Sequence, residues 1–179
     1  MAFLTLMGVL LSLISCKRSN ADAFAFREME FCAEVEWEDG GERFCARVYN
    51  KPSQKLHISD LDVSVVGEQG QRRIEYVLPK ELQNIKVEMS EDGKYEARLG
   101  DAYVHSASIE RLGFVLSLIF LQGSTEYVCR ESMNGTECDV YCTSSELGKA
   151  EYFINRSSKM PLKIRFNGVD FDFVWIEVE

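Results

Sequence analysis

The sequence predicts an α+β domain: a strongly curved antiparallel sheet, a half-barrel, wrapped around one central buried helix. Three observations predict it. From Phe31 onward, apolar and polar residues alternate with period two, as in strands with one buried face. Turn dipeptides such as Asn-Gly separate these runs at short intervals, so neighbouring strands join as antiparallel hairpins. Over residues 106–121, "SASIERLGFVLSLIFL", apolar residues recur at steps of three and four, the period of a helix.

The first hairpin pairs Phe31, Ala33, Val35 and Trp37 with the apolar face of Phe44, Ala46 and Val48. A turn centred on Asp39 and Gly40 sets Val35 opposite Phe44 and Ala33 opposite Ala46. In that register Cys32 and Cys45 are diagonal neighbours on the polar face, too far apart for a relaxed disulfide. Residues 56–67 read as the next strand, irregular near Asp60, and residues 72–78 as another. Pro79 opens a single helical turn over "PKEL". A three-residue loop, Glu91 to Gly93, then pairs Met89 with Tyr95 and Val87 with Ala97. A two-residue loop would set Met89 against the charged Glu96.

In the helical stretch Ile109, Leu112, Leu116, Ile119 and Phe120 form the main stripe, with Ser106 or Ser108 as a cap and Gly123 as the stop. Phe114, Leu118 and Leu121 lie off that stripe. The helix is therefore apolar around most of its circumference and must be covered. It is too short to span a membrane.

"TEYVCRESMNGTECDVYCT" turns at Asn134-Gly135, which sets Cys129 opposite Val140 with Cys138 and Cys142 diagonal to it. The three thiols then share a face with Tyr127, the expected core face. Residues 150–155 add a strand. "PLKIRFNGVDFDFVW" turns at Asn167-Gly168. Leu162 then meets Phe173 and Ile164 meets Phe171, while Arg165 meets Asp170 and Lys163 meets Asp172 on the other face.

The N-terminus carries an address. Residues 3–15 are uncharged and mostly apolar, with the length of a signal-peptide core. Leu13-Ile14-Ser15-Cys16 resembles the bacterial lipobox, in which the cysteine thiol is lipidated and becomes the new N-terminus. The resemblance implies a signal peptide over 1–15, a lipidated tether over 16–27, a single domain over 28–179, and attachment through Cys16 to the outer face of a bacterial membrane. Five cysteines remain after Cys16, an odd number that cannot all pair within one chain. The net charge of −9 makes nucleic acid an unsuitable partner.

The element order (lipobox, antiparallel meander, buried helix, closing hairpins) is similar to the LolA/LppX-like lipoprotein-carrier superfamily. "KMPLKIRFNGVDFDFVWIEV", residues 159–178, is similar in style to that family's C-terminal hairpin. The resemblance spans roughly residues 28–179 and implies an unclosed barrel whose hollow takes acyl chains or other lipids. Expected ligand-binding residues are Trp37, Tyr95 and Trp175 on strands and Phe114, Leu118 and Leu121 on the helix. No nucleophile elbow, zinc-protease motif or phosphate-binding glycine loop occurs. The expectation is a non-catalytic binding protein without cofactor or metal. His105 with a thiol, the Cys129, Cys138 and Cys142 trio, and the Asp60 and Asp62 pair are weaker chemical candidates. The alternative from another class is a surface protein-interaction module with a filled core.

Overall fold

A computed structural model describes residues 23–52, 71–90, 94–104 and 109–178. Cys16, His57, Asp60, Asp62, His105, the strand expected over 56–67, the 91–93 loop and the caps Ser106 and Ser108 lie outside the described residues. A 3-10 turn, Ala25–Glu28, precedes the strands β1 (Phe31–Asp39), β2 (Glu42–Lys51) and β3 (Gln71–Leu78). A second 3-10 turn, Lys80–Leu82, begins just after Pro79, followed by β4 (Ile85–Met89), β5 (Tyr95–Leu99) and β6 (Ala102–Tyr103). Two short helices, α1 (Ile109–Leu112) and α2 (Phe114–Ile119), stand where one longer helix was expected. Then come β7 (Ser124–Met133), β8 (Thr136–Ser145), β9 (Gly148–Asn155), β10 (Pro161–Phe166) and β11 (Val169–Val178). No helix of the described residues is long and apolar enough to cross a membrane.

Among the described residues the eleven strands form one antiparallel sheet, in the order β6-β5-β4-β3-β2-β1-β11-β10-β9-β8-β7. Two meandering arms meet where β1 pairs with β11, and the sheet stays unclosed, with β6 and β7 at its edges. One face carries the main core. Ala33, Val35, Ala46, Val48, Ile74, Val87, Tyr152 and Ile164 are fully buried there, packed with Leu116, Leu118 and Ile119 of α2.

Two registers match the expectation. Met89 pairs with Tyr95 and Val87 with Ala97. In the last hairpin Ile164 pairs with Phe171, Lys163 with Asp172 and Arg165 with Asp170. The first hairpin differs. Val35 faces Ala46, Ala33 faces Val48, and the loop is Gly40-Gly41. Both glycines have positive φ, +60° and +81°, the pair of values this two-residue turn demands and that a side chain resists. The slip is two residues, so every side chain keeps its face. Cys32 now faces Tyr49 and Cys45 faces Glu36, further apart than diagonal neighbours, and both thiols are free.

A β-bulge overturns the face assigned to the other three thiols. Cys129 does pair with Val140, but Tyr127 pairs with Tyr141, so Val128 is the extra residue. Tyr127 and Cys129 therefore point to opposite faces. Tyr127 meets Tyr141 on the main-core side. Cys138, Val140 and Phe153 form a separate buried cluster, covered by Cys129, Met133 and Leu162. Leu162 sits at an irregularity of the β9–β10 pairing, which turns it to that cluster rather than to Phe173.

Asp170 anchors the outer face of the last hairpin. Arg165 reaches it through Nε at 2.6 Å and Nη2 at 3.1 Å, and Lys163 through Nζ at 2.7 Å. These bonds, Arg165's foremost, lower its pKa from 3.8 to about 2. The folded value lies below the unfolded one, so the stabilisation is present above about pH 4 and is lost as pH falls toward about 2. Solvent screening limits it to about 1 kcal/mol. In urea titrations, the stability difference between wild type and Asp170→Asn is expected to be constant near neutrality and to vanish over that acid window.

Candidate functional site

The candidate site is the inner face of the sheet together with the α1–α2 segment lying on it. Its helices α1 and α2 adjoin at Gly113, whose backbone is itself helical, and main-chain bonds continue across it: Gly113 N donates to Ile109 O at 2.9 Å, and Ser117 N to Gly113 O at 3.2 Å. Glycine is required at 113 by close approach. A Cβ there would lie 2.5 Å from the ring of Tyr95. The hydroxyl of Tyr95 in turn hydrogen-bonds Ser117.

Helix ends leave carbonyls short of partners, and side chains of the sheet and the N-terminal turn bond to them here, Leu118 O also accepting from Leu121 N at 3.3 Å. Tyr76 Oη donates to Leu112 O at 2.8 Å, Tyr152 Oη to Leu118 O at 2.6 Å, and Arg27 Nε to Ile119 O at 3.2 Å. Burial raises the pKa of Tyr152 to about 12 and that of Tyr76 further, so both phenols remain donors throughout the physiological range. Phe26, fully buried, and Ala23 belong to the core. The domain thus begins before residue 28, inside the expected tether. Asn50, 1% exposed, holds that N-terminal turn, with Nδ2 donating to Arg27 O at 3.0 Å and Met29 O at 2.7 Å.

At the end of the inner face near the Gly40-Gly41 turn lies an aromatic cluster, with Trp37 and Phe44 half-buried over the buried Tyr76 and Phe171. Trp37 stacks on Phe44 with ring centroids 5.1 Å apart, and meets Phe171 at 5.5 Å and Tyr76 at 6.2 Å. Phe114, which opens α2, meets Phe166 edge-on at 5.4 Å. An open cleft of about 390 Å³ adjoins Trp37, between the tips of the two hairpins, with Glu36, Glu38, Arg43, Asp170 and Asp172 on its walls.

Of the six expected ligand-binding residues, Trp37 and Phe114 lie half-buried in or beside this aromatic cluster, and Tyr95 lies half-buried under Gly113. Leu118 and Leu121 are buried within the core. Trp175 is on the other face. A second β-bulge makes Val174 the extra residue, so Trp175 pairs with Glu34, stands 48% exposed, and yields its inner position to Ile176. Sequence reasoning missed Phe44, Tyr76, Phe166 and Phe171 as members of the cluster. The first was visible as an alternating apolar position. The others needed the observed strand order.

Glu34, Glu36 and Cys45 form a tight group on the outer face, their ligand-type atoms within 4.8 Å of one another. Both carboxylates already have cations: Arg47 lies 3.6 Å from Glu34 and Arg43 lies 2.6 Å from Glu36. Burial, then the two carboxylates, raises the Cys45 thiol to about 11, so it is protonated at neutral pH. The thiol is thus held in its non-nucleophilic form.

No family model matches the chain, and no curated protein matches it in sequence. Solved structures do match. An uncharacterized conserved protein from Thermus thermophilus superposes with a TM-score of 0.58 at 15% identity, over 90% of this chain and 88% of that one. MucB superposes with a TM-score of 0.53 at 14% identity, over 88% of this chain and 56% of MucB, so the chain spans about half of that protein. A LolA superfamily protein from Nitrosomonas europaea superposes with a TM-score of 0.40 at 10% identity, over 89% of this chain and 90% of that one. The chain has the open antiparallel-sheet fold of the first two.

Proposed function

We propose that the chain is a non-catalytic binding protein that takes an apolar or lipid ligand between the inner face of the sheet and the α1–α2 segment. In this reading the sheet curves around that segment as a half-barrel, and the ligand enters where α1 and α2 are displaced. The observation that carries the reading is the aromatic cluster around the half-buried Trp37, Phe44 and Phe114. Aromatic rings at the border of a core offer apolar area to a ligand and bury more of it on binding. The lipobox-like end of residues 13–16 supports a role outside the cytoplasm, with the domain tied to a bacterial membrane through Cys16.

The apolar fluorophore N-phenyl-1-naphthylamine tests this. It is expected to bind saturably, with Trp37→Ala and Phe114→Ala each weakening it about tenfold. Trp175→Ala, on the outer face, is expected to leave binding unchanged. Loss of binding on Trp175→Ala alone, or no saturable binding by wild type, would overturn the reading. The alternative, a surface protein-interaction module, rests on the ten-residue edge strand β7, where Tyr127 and Val128 are 42% and 50% exposed. It predicts that Val128→Lys, and not Trp37→Ala, abolishes the chain's binding of its partner.

A further inference from the structure

At the opposite end of the inner face from Trp37 stands an arginine whose surroundings are unusual for a cation. Arg27 Nε is taken by Ile119 O, and the guanidinium lies 4.2 Å above the ring of Phe24 and 5.7 Å from that of Tyr152. Its Nη2 is buried and has no hydrogen-bond partner. Among the described residues no carboxylate lies within ion-pair distance of it. A second cation is close: Arg72 lies 4.1 Å above the ring of Phe120, the residue after Ile119, and its charge acts on Arg27. Burial chiefly, and Arg72 in addition, lower the Arg27 pKa, with Tyr152 opposing them. A buried charged donor left unpaired is costly. Arg27 could cap a helix end without an unused donor, so the cap alone does not account for the arrangement.

We propose that Arg27 and Arg72 seat the oxyanion, phosphate or carboxylate, of an amphiphilic ligand. This rests on the reading of the inner face as an apolar site. Guanidinium groups match both oxyanions in shape, and a charge-assisted bond in a water-poor site is strong. The distances suit such a ligand. Arg27 is held by Asn50, which pairs with Phe31 at one end of β1, while Trp37 lies six residues along the same strand. That separation is about 20 Å at the usual rise per residue, the length of a long acyl chain. The head lies at the C-terminal end of α2, and the tail takes the track along the sheet that Leu118 and Ile119 now cover.

Three probes sharing parts separate the terms: 1-oleoyl-lysophosphatidate, 1-oleoylglycerol and glycerol 3-phosphate, titrated calorimetrically into the full-length chain below their micelle concentrations. The lysophosphatidate is expected to bind about tenfold or more tighter than the oleoylglycerol. Arg27→Gln is expected to remove that gap and Arg27→Lys to keep most of it. Arg72→Gln is expected to narrow it without touching the bond to Ile119, which guards against misfolding of the Arg27 variant. Equal binding of the two oleoyl compounds to wild type would overturn the anion seat and leave the apolar site standing. Glycerol 3-phosphate binding as tightly as the lysophosphatidate would keep the seat and overturn the amphiphile. Binding of none of the three would overturn both.

Discussion

Leu118→Ala is expected to lower the unfolding free energy by about 3–5 kcal/mol. Leu118 is 1% exposed and sits between Leu116 and Ile119, which are equally buried. The cavity left by its side chain cannot close readily, because Tyr152 fixes the Leu118 carbonyl and Arg27 fixes that of Ile119. The surrounding strand residues are held by ladder bonds on both sides. Guanidinium titration would show the loss as a lower midpoint with an unchanged slope. Leu147→Ala, at a turn and 53% exposed, is expected to change stability by less than about 0.5 kcal/mol. A small effect at Leu118 would mean that α2 is loosely held, and that the core is carried by the sheet alone.

Gly123→Ala is the second large effect, at about 3 kcal/mol or more. A Cβ at this position would be driven into the backbone carbonyl of Ser144, with Thr143 Cγ2 3.2 Å away. Main chain cannot rotate aside as a side chain can. Relief requires β7 to part from β8 at the Ser124–Ser144 pair, where the ten-residue edge strand begins. Gly40→Ala provides the contrast. It has φ +60° but open space around it, so it is expected to cost only about 1 kcal/mol, from backbone strain alone. Thermal unfolding of the two variants side by side measures the difference.

The parts of the fold legible in the sequence were those where two independent signals agreed. In the last hairpin, apolar pairs on one face and opposite charges on the other allow one register, and Ile164–Phe171 with Arg165–Asp170 is what forms. The β4–β5 register was fixed because its rival opposed Met89 to Glu96. The first hairpin lacked such a contrast. Phe44, Ala46 and Val48 are all apolar, and a slip of two residues leaves each on the same face, so only the demand for positive φ at both Gly40 and Gly41 decides.

Bulges were the main source of error, for a physical reason. One extra residue reverses every later side chain, and strict alternation carries no mark of where it enters. Val174 moved Trp175 out of the candidate site and brought Ile176 in; Val128 separated Tyr127 from Cys129. Phe26 and Arg27 escaped because they precede the first periodic run. They enter the core through the 3-10 turn that Asn50 grips, and nothing local announces a contact with a residue more than twenty positions away. The helix was recognised by period, but the need for glycine at 113 comes from the ring of Tyr95 beside it, which is a tertiary contact.

The central claim is that the inner face holds an apolar ligand. Its most direct test is mass spectrometry of the organic extract from the chain purified out of its native host without detergent. A lipid at close to one equivalent per chain is expected, carrying an anionic head group, and reduced in the Trp37→Ala and Phe114→Ala variants. An extract with no lipid above the level recovered from an unrelated protein prepared in parallel would contradict it.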